Sequence, residues 1–345
     1  MWMQRFVVGT GRCGSTLLSR MLDESPDSLN LFEFFNGLDP GERFDSQPTS
    51  GAALADLIAR EQPFVTAVLR RGYSVEEITY PFADSNPAPE TPGKRKRSEA
   101  LPWVLVSTLP RLVSAPDELF DRLMDFVRGL PNQPPRDHYL ALFDWLSARL
   151  ERGFWIERSG SSIDYVGDLM RLYPKARFLH IHRSGPEVAL SMREHHAYRL
   201  PITLLYDAPL ADGRRVSELP ALDLDSPPTP DDPISLILES RPPAEFFGRY
   251  WSDQIVRGKR ALAPLPSDQL LEVSFETLAT GPAGILEEIA DFFEIPSLPK
   301  QIDWIARAAA LSRGKPPERA PLLVEAERER LLIACAPGAE LIGSG

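Results

Sequence analysis

The chain has 345 residues, of which 43% are hydrophobic and 25% charged, and its formal net charge is -11. This length and composition are typical of a globular chain that buries a full core. The acidic balance argues against a general nucleic-acid or anionic-membrane partner, because binding to either depends on neutralising phosphates. Any anion site is therefore expected to be a local cluster of basic groups.

The sequence also indicates a cellular compartment. Two cysteines, Cys13 and Cys335, are too few for a disulfide framework. No stretch approaches the ~18 consecutive apolar residues of a membrane span. The chain enters a strand pattern at once, which leaves no room for a signal peptide. We therefore expect a cytoplasmic protein without an integral membrane segment; the sequence carries no sign of an oligomeric state.

The N-terminal stretch predicts a strand, a glycine-rich turn and a helix. Phe6–Val8 is a short apolar run, Gly9, Gly11 and Gly14 follow it, and apolar residues recur at helical spacing over Thr16–Leu22. A helix N-terminus that is reached through such a turn presents unpaired backbone N–H groups. The turn is therefore predicted to hold an anion.

Three interpretations of this turn compete. The Gly9–Gly14 spacing fits a dinucleotide fingerprint, with Glu33 as the ribose-binding acid. It also fits a Walker A loop, but Ser15 stands where that loop needs its lysine, which weakens a triphosphate interpretation. The third interpretation uses Arg12 inside the turn, with the hydroxyls of Ser15 and Thr16, as a loop for a 5′-phosphosulfate.

Strand-like and helix-like segments alternate along the rest of the chain. The predicted strands are Leu29–Phe32, Phe154–Arg158, Ala176–His182 and Leu270–Val273. The predicted helices are Leu119–Leu130, Tyr139–Leu150, Ile163–Tyr173, Pro242–Leu262, Pro282–Phe293 and Pro299–Leu311. This alternation predicts an α/β fold with a P-loop-like parallel central sheet, flanked by helices, and with sites at the carboxyl ends of its strands.

The proline pattern separates a core from insertions. The 34 prolines cluster between the structured blocks, and such clusters are typical of loops or lids. We expect a single domain over residues 1–345, with core elements near 1–35, 154–196 and 242–311. Helical and proline-rich insertions are expected at 36–150, including a surface excursion at 84–100, and at 197–240. The end of the chain is expected to be an irregular tail.

Arg183 and Ser191 stand eight residues apart across a predicted strand-to-helix turn. The arginine ends the strand and the serine lies two turns into the helix, so both side chains are expected to face one phosphate. A guanidinium group and a hydroxyl are ordinary phosphate ligands. Together with the first loop, they predict two anion sites on one sheet edge, which suits a nucleotide that is phosphorylated at both ends.

These paired motifs resemble the sulfotransferase superfamily, in particular bacterial members with a P-loop, which use 3′-phosphoadenosine 5′-phosphosulfate (PAPS) as donor. Residues 8–18 look like the family's 5′-phosphosulfate loop, and residues 176–191 look like its 3′-phosphate motif. Glu157-Arg158 is similar to the family's Glu-Lys strand end, with arginine in place of the commoner lysine. Two further blocks, residues 271–278 and 291–296, resemble its last strand and the helix after it.

The resemblance implies a role for each candidate residue. Glu33, at the family's spacing from Arg12, would be the catalytic base, and Arg158 would assist. The implied donor ligands are Gly11, Arg12, Cys13, Gly14, Ser15, Thr16, Arg183 and Ser191. The product would be adenosine 3′,5′-bisphosphate (PAP), and no metal is implied because the cations are side chains. The acceptor would be a hydroxyl of a small molecule or a carbohydrate, in a pocket that the two insertions shape.

Other interpretations stay open at this stage. The loop alone also fits an NAD(P)-dependent oxidoreductase, and a non-catalytic nucleotide-binding module would keep the same anion loops. The basic segment Arg313, Gly314 and Lys315 either closes over the 3′-phosphate or forms a solvated tail.

Overall fold

The computed structural model describes residues 3–83, 95–296 and 302–343. Most of the predicted excursion at 84–100 and the start of the predicted Pro299–Leu311 helix lie outside these residues. The strands are β1 (Arg5–Gly9), β2 (Ser28–Phe32), β3 (Phe154–Arg158), β4 (Arg177–His182) and β5 (Leu270–Ser274). The helices are α1 (Ser15–Leu22), α2 (Gly51–Ile58), α3 (Pro63–Arg70), α4 (Pro116–Arg128), α5 (Pro135–Arg149), α6 (Val166–Leu172), α7 (Gly185–Glu194), α8 (His196–Leu205), α9 (Pro233–Glu239), α10 (Ala244–Leu262), α11 (Phe275–Thr280), α12 (Pro282–Phe292), α13 (Ile302–Ala309) and α14 (Glu325–Ile342).

The strands form one parallel sheet in the order β2-β3-β1-β4-β5. β1 lies at the centre, where Phe6 pairs with Glu157 on one side and with Phe178 on the other. From β1 the chain first crosses to one side of the sheet and later to the other, and ligands of parallel sheets bind at the carboxyl ends beside such a reversal. The predicted α/β fold with a parallel central sheet is confirmed.

The side chains of β1 alternate between two apolar layers, as the period of a strand requires. Phe6 and Val8 pack into the layer that holds the insertion helices. Val7 packs into the opposite layer with Leu18 of α1 and Leu286 of α12. Because every residue of β1 is buried, the central strand is an apolar run rather than an alternating one, as is typical of a parallel sheet that is covered on both faces.

The insertion at 197–240 contains helices that the sequence does not predict. α8 has Pro201 inside it. A proline within a helix removes a backbone donor, so its presence in the sequence argues against a helix. α9 begins after Asp232, whose carboxylate accepts hydrogen bonds from the amides of Ile234 and Ser235 at 3.0 and 3.1 Å. This capping residue is a local signal that the surrounding prolines obscure.

The prediction of an irregular tail at the end of the chain is wrong, because residues 325–342 form α14. Leu331, Cys335 and Gly338 are its buried positions, and their spacing of four and then three residues is helical. They pack on α10, where the glycine brings the two backbones close: a Cβ on Gly338 would lie 3.0 Å from the Ser252 Cα. No helix among the described residues is long and apolar enough to cross a membrane.

The packing of α14 predicts which of its apolar residues stabilises the fold. Leu331 is fully buried, whereas Ile333 is 67% exposed. We expect Leu331→Ala to lower the free energy of unfolding by about 2–5 kcal/mol because it leaves a cavity, and Ile333→Ala to change it by less than about 0.5 kcal/mol. Urea unfolding at equilibrium measures both variants. Equal losses would mean that α14 does not dock on α10 in solution.

Candidate functional site

A cavity of ≈ 160 Å³ lies at the carboxyl edge of the sheet, and we call it the edge cavity. Nine of the predicted site residues line it: Gly11, Arg12, Gly14, Ser15, Thr16, Glu33, Arg158, Arg183 and Ser191. Five further lining residues were not predicted: Glu76, Glu77, Gly160, Tyr198 and Phe275. The residues that follow β1, β2, β3 and β4 thus meet in one place, because parallel strands end at a common edge.

The glycine turn between β1 and α1 is shaped by what packs on it. Gly14 has φ 94° and precedes the first residue of α1, a conformation that glycine adopts without strain. A Cβ on Gly14 would lie 2.1 Å from the ring of Phe275, and one on Gly11 would lie 1.7 Å from the Tyr198 hydroxyl. Both aromatic groups therefore hold the turn closely, and Ser15 and Thr16, the first residues of α1, line the edge cavity.

Arg12 is held by a carboxylate in this structure. Its Nη1 and Nη2 donate to the two carboxylate oxygens of Glu76 at 2.8 and 3.1 Å. Its Nε donates to the Ser191 hydroxyl at 3.0 Å. Burial alone would lower the pKa of Arg12, but the Glu76 carboxylate outweighs this effect and raises it. The residues predicted for two separate anion sites, Arg12 and Ser191, thus contact each other directly.

Arg158 and Glu33 form a buried ion pair between β3 and the residue after β2. The Nη1 of Arg158 donates to the Glu33 carboxylate. Its other nitrogens donate to α1, Nη2 to the Thr16 hydroxyl at 2.8 Å and Nε to the Ser19 hydroxyl at 3.1 Å. Its guanidinium carbon lies 4.1 Å from the centroid of the Phe32 ring. Arg158 therefore joins the predicted donor loop to the predicted base.

The Glu33 carboxylate is oriented by backbone and side-chain donors. The amide of Gly160 donates to its oxygens at 2.9 and 3.0 Å, and Asn36 Nδ2 donates at 2.5 Å. The indole of Trp103 donates to the Glu33 carbonyl at 2.6 Å, which fixes the backbone at a positive φ of 56°. Burial raises the pKa of Glu33, and the positive charge of Arg158 opposes this shift.

A second carboxyl, Glu157, lies behind this pair. It is fully buried, and its Oε1 accepts a hydrogen bond from the Ser159 hydroxyl at 2.6 Å. Burial raises the pKa of Glu157 to about 8. The group therefore carries its proton at neutral pH, and the guanidinium of Arg158 pairs with Glu33 and not with Glu157.

Two larger cavities adjoin the edge cavity. The first, of ≈ 450 Å³, shares Arg183 and Phe275 with it and is lined further by Trp251 and Lys315, and we call it the C-terminal cavity. The second, of ≈ 400 Å³, shares Glu33, Glu77 and Tyr198 with the edge cavity and is lined further by Trp103, after which we name it the Trp103 cavity. Glu33 therefore stands on the boundary between the edge cavity and the Trp103 cavity.

Two residues on that boundary, Glu77 and Tyr198, were missed at the level of sequence, as was the role of His195 beside them. His195 Nε2 lies 3.1 Å from a carboxylate oxygen of Glu77. Burial alone would raise the pKa of Glu77, but the imidazole of His195 and the charge of Arg12 lower it to about 2. The Tyr198 hydroxyl lies 3.2 Å from the Ser161 hydroxyl. Only the pair of acids at 76 and 77 offered a signal, because α8 was not predicted.

Four predicted ligands lie outside the edge cavity. The Cys13 side chain is buried in the core, and burial raises the pKa of its thiol. Arg313 and Gly314 are exposed. Lys315 lines the C-terminal cavity, where its Nζ contacts Glu318 at 2.7 Å. Within the described part of the chain, no group of three or more His, Cys, Asp and Glu residues is arranged to hold a metal ion.

The fold and the edge cavity define an α/β protein that gathers arginines, hydroxyls and a helix N-terminus at the carboxyl edge of a parallel sheet. The sequence model of the sulfotransferase family matches residues 5–205. This is more than half of the 345 residues, and the chain therefore belongs to the sulfotransferase family. The family predicted from the motifs is confirmed. No curated protein matches the chain in sequence.

Several solved structures are similar over nearly the whole chain. A sulfotransferase domain from the curacin biosynthetic pathway has 12% identity and a TM-score of 0.44, over 97% of this chain and 98% of that one. Sulfotransferase STF9 from Mycobacterium avium has 13% identity and a TM-score of 0.44, over 98% and 76%. Retinol dehydratase in complex with androsterone and inactive cofactor PAP has 11% identity and a TM-score of 0.34, over 98% and 80%. Similarities this low carry no argument about substrate.

The buried Glu157 predicts a pH dependence of stability. Its folded pKa of about 8 lies above the ordinary value of 4.5, so the folded chain retains a proton that the unfolded chain releases between these values. Stability from this group is therefore complete below pH 4.5 and is lost as pH rises towards 8. We expect the free energy of unfolding of Glu157→Gln, relative to that of wild type, to increase by up to about 1.4 kcal/mol per pH unit in that window.

Urea unfolding at several pH values between 5 and 8 measures this effect. Glu340→Gln is the matched control, because it makes the same change at an exposed position. A stability difference for Glu157→Gln that stays constant over this range would show that Glu157 is ionised in the folded protein.

Proposed function

We propose that this chain transfers a sulfuryl group from PAPS to a hydroxyl group of an acceptor. The observation that carries this proposal is the position of Glu33, a carboxylate at the boundary of two cavities. One cavity has the groups that an anionic donor needs, and the other has room for an acceptor. We further propose that the whole chain acts as a single domain in the cytoplasm, where two unpaired buried cysteines are ordinary.

The edge cavity fits the anionic parts of the donor. Arg12 and Arg183 supply guanidinium groups, and Ser15, Thr16 and Ser191 supply hydroxyls. Such groups, together with the amides of a helix N-terminus, are suited to phosphate and sulfate oxygens. We assign Arg12 with residues 14–16 to the 5′-phosphosulfate and Arg183 with Ser191 to the 3′-phosphate.

The C-terminal cavity fits a nucleoside. The rings of Trp251 and Phe275 line it, and Arg183 lies 4.6 Å from the centroid of the Phe275 ring. Burial lowers the pKa of His182, which also lines this cavity, to about 4, so its imidazole is neutral. Lys315 is assigned to this cavity, whereas Arg313 and Gly314 have no described position beside it that supports their predicted role.

The residues of the boundary support an in-line transfer. Bound PAPS supplies the sulfuryl group. The oxygen of the acceptor hydroxyl bonds to sulfur while Glu33 accepts its proton. The bond between sulfur and the bridging phosphate oxygen breaks, and its electron pair stays on that oxygen. Arg12 and the amides of residues 14–16 stabilise the charge on the departing phosphate. Arg158 holds Glu33 and Thr16 in place through its hydrogen bonds.

The other interpretations receive less support. In a nicotinamide oxidoreductase the acid after β2 binds a ribose hydroxyl, whereas Glu33 pairs with Arg158 and also lines the Trp103 cavity. Membership of the sulfotransferase family also favours sulfuryl transfer over hydride transfer. A module that only binds nucleotide would have no need for a buried carboxylate beside a second cavity.

Replacing the proposed base tests the function directly. Glu33→Gln is expected to lower the rate of sulfuryl transfer by about 10²–10⁴-fold, because it removes the proton acceptor. The variant also leaves Arg158 without a charged partner, so PAP binding by calorimetry checks that it is folded. Because burial raises the pKa of Glu33 above 4.5, wild-type activity should fall on the acid side at a higher pH than an exposed carboxylate would give.

Glu157→Gln is the matched control for this variant, since it changes a neighbouring buried carboxyl that does not line the edge cavity. Its rate should stay within about tenfold of wild type. Unaltered turnover in Glu33→Gln would remove Glu33 from the mechanism. Binding of NAD instead of PAP by the wild-type chain would contradict the proposed donor.

The contact between Glu76 and Arg12 predicts a variant that binds the donor side more tightly. A phosphate that binds Arg12 must displace the Glu76 carboxylate, which is 68% exposed and therefore free to move. Glu76→Gln removes this competitor for Arg12. Because an exposed ion pair contributes little free energy, PAP affinity is expected to increase by only about two- to fivefold at low salt. Glu42→Gln is the control, because it removes a similar exposed arginine partner away from the cavity. Weaker PAP binding in Glu76→Gln would show that Glu76 assists the ligand.

A further inference from the structure

Three of the described residues line both the edge cavity and the Trp103 cavity: Glu33, Glu77 and Tyr198. A sulfuryl group that moves from a donor in the first cavity to an acceptor in the second must pass this boundary. Two of the three side chains are carboxylates, which repel the oxygens of a sulfuryl group. Tyr198 alone among the three has a hydroxyl that can donate a hydrogen bond to such an oxygen.

The Tyr198 hydroxyl lies against two backbone segments of the site. A Cβ on Gly11, in the turn after β1, would lie 1.7 Å from this hydroxyl oxygen. A Cβ on Gly160, in the loop after β3, would lie 3.4 Å from the same oxygen and 3.1 Å from Oε1 of Glu33. The hydroxyl therefore stands beside both the proposed donor loop and the proposed base, where the transferred group would lie.

The ring of Tyr198 is held by the residue that precedes α8. The Tyr198 amide donates to the His195 carbonyl at 2.9 Å, and the two rings pack edge to face with their centroids 5.3 Å apart. The His195 imidazole in turn lies 3.1 Å from a carboxylate oxygen of Glu77. These contacts fix the direction of the ring, so the hydroxyl is in position before a ligand arrives, as a preorganised donor must be.

Tyr198 keeps its proton at neutral pH. Burial, together with the charges of Glu77 and Glu33, raises the pKa of Tyr198 well above its ordinary value of 10. The Ser161 hydroxyl lies 3.2 Å away. A hydroxyl both donates and accepts, so a hydrogen bond from Ser161 to the Tyr198 oxygen leaves the Tyr198 proton free for a ligand.

From this placement we infer that the Tyr198 hydroxyl donates a hydrogen bond to an oxygen of the sulfuryl group and orients that group for in-line transfer. The inference rests on the proposed function, and it adds a residue of α8 to the catalytic groups that the sheet edge supplies. Tyr198 keeps its proton throughout, because the acceptor proton goes to Glu33 and the electron pair of the broken bond stays on the bridging oxygen.

Binding of PAP and of PAPS separates this contact from a structural role, because only PAPS carries the sulfuryl group. Calorimetry with each nucleotide, without an acceptor, measures the two affinities. Tyr198→Phe keeps the ring and removes the hydroxyl. We expect its PAPS affinity to fall by about tenfold or more, as for a lost hydrogen bond to a charged group, while its PAP affinity stays within about twofold of wild type.

Two further variants serve as controls. Tyr206→Phe removes the hydroxyl of the residue after α8, which donates to Asp253 at 2.8 Å. Tyr206 is not among the described residues that line the edge cavity, the C-terminal cavity or the Trp103 cavity, so both affinities should stay within about twofold of wild type. Ser161→Ala removes the partner of the Tyr198 hydroxyl, and its PAPS affinity should fall less than that of Tyr198→Phe.

The outcomes separate this inference from the proposed function. A loss in Tyr198→Phe that PAP and PAPS share, or no loss at all, would overturn the inference and leave the proposed donor in place. An equal loss of PAPS affinity in Ser161→Ala would also overturn it, because the effect would then belong to the loop after β3. If the wild-type chain binds neither PAP nor PAPS, the proposed function fails, and the role of Tyr198 fails with it.

Discussion

The site depends on a buried ion pair, in which each charge compensates the other. Removing one partner of such a pair strands the other charge in a low-dielectric interior, at a cost of about 3–5 kcal/mol. In this chain the pair joins the ends of two parallel strands, with Arg158 on β3 and Glu33 directly after β2. Arg158 also reaches Thr16 on α1. One guanidinium group therefore fixes the distance between the glycine turn and the carboxylate.

The same requirement for charge balance explains the acids beside the turn. Three arginines, Arg12, Arg158 and Arg183, line the edge cavity together with three carboxylates, Glu33, Glu76 and Glu77. Two of these carboxylates are held in the site, but Glu76 is mostly exposed. An arriving anion can therefore replace Glu76 at Arg12 while the buried partners remain, so Arg12 exchanges one negative partner for another.

The sequence predicted the sheet edge far better than the cavity walls. Arg12, Glu33, Arg158 and Arg183 were placed correctly at one edge, because each ends an apolar strand or lies in the turn after one, and parallel strands end together. Glu77 and Tyr198 were missed, because a residue reaches the cavity from outside the sheet only through packing that no local period encodes. The prolines near α8 and the weak apolar face of α14 hid both helices for a related reason: tertiary contacts, rather than intrinsic pattern, stabilise them.

The sheet edge and the cavity walls also differ in how readily their residues can be substituted. The sheet edge positions the arginines and Glu33 at the ends of rigid strands, whereas most of the Trp103 cavity is built from residues between β2 and β3 and from α8. Loops and surface helices accept substitution more readily than strands that are buried on both faces. Glu76 and Glu77 connect the two parts, since one contacts Arg12 and the next faces His195.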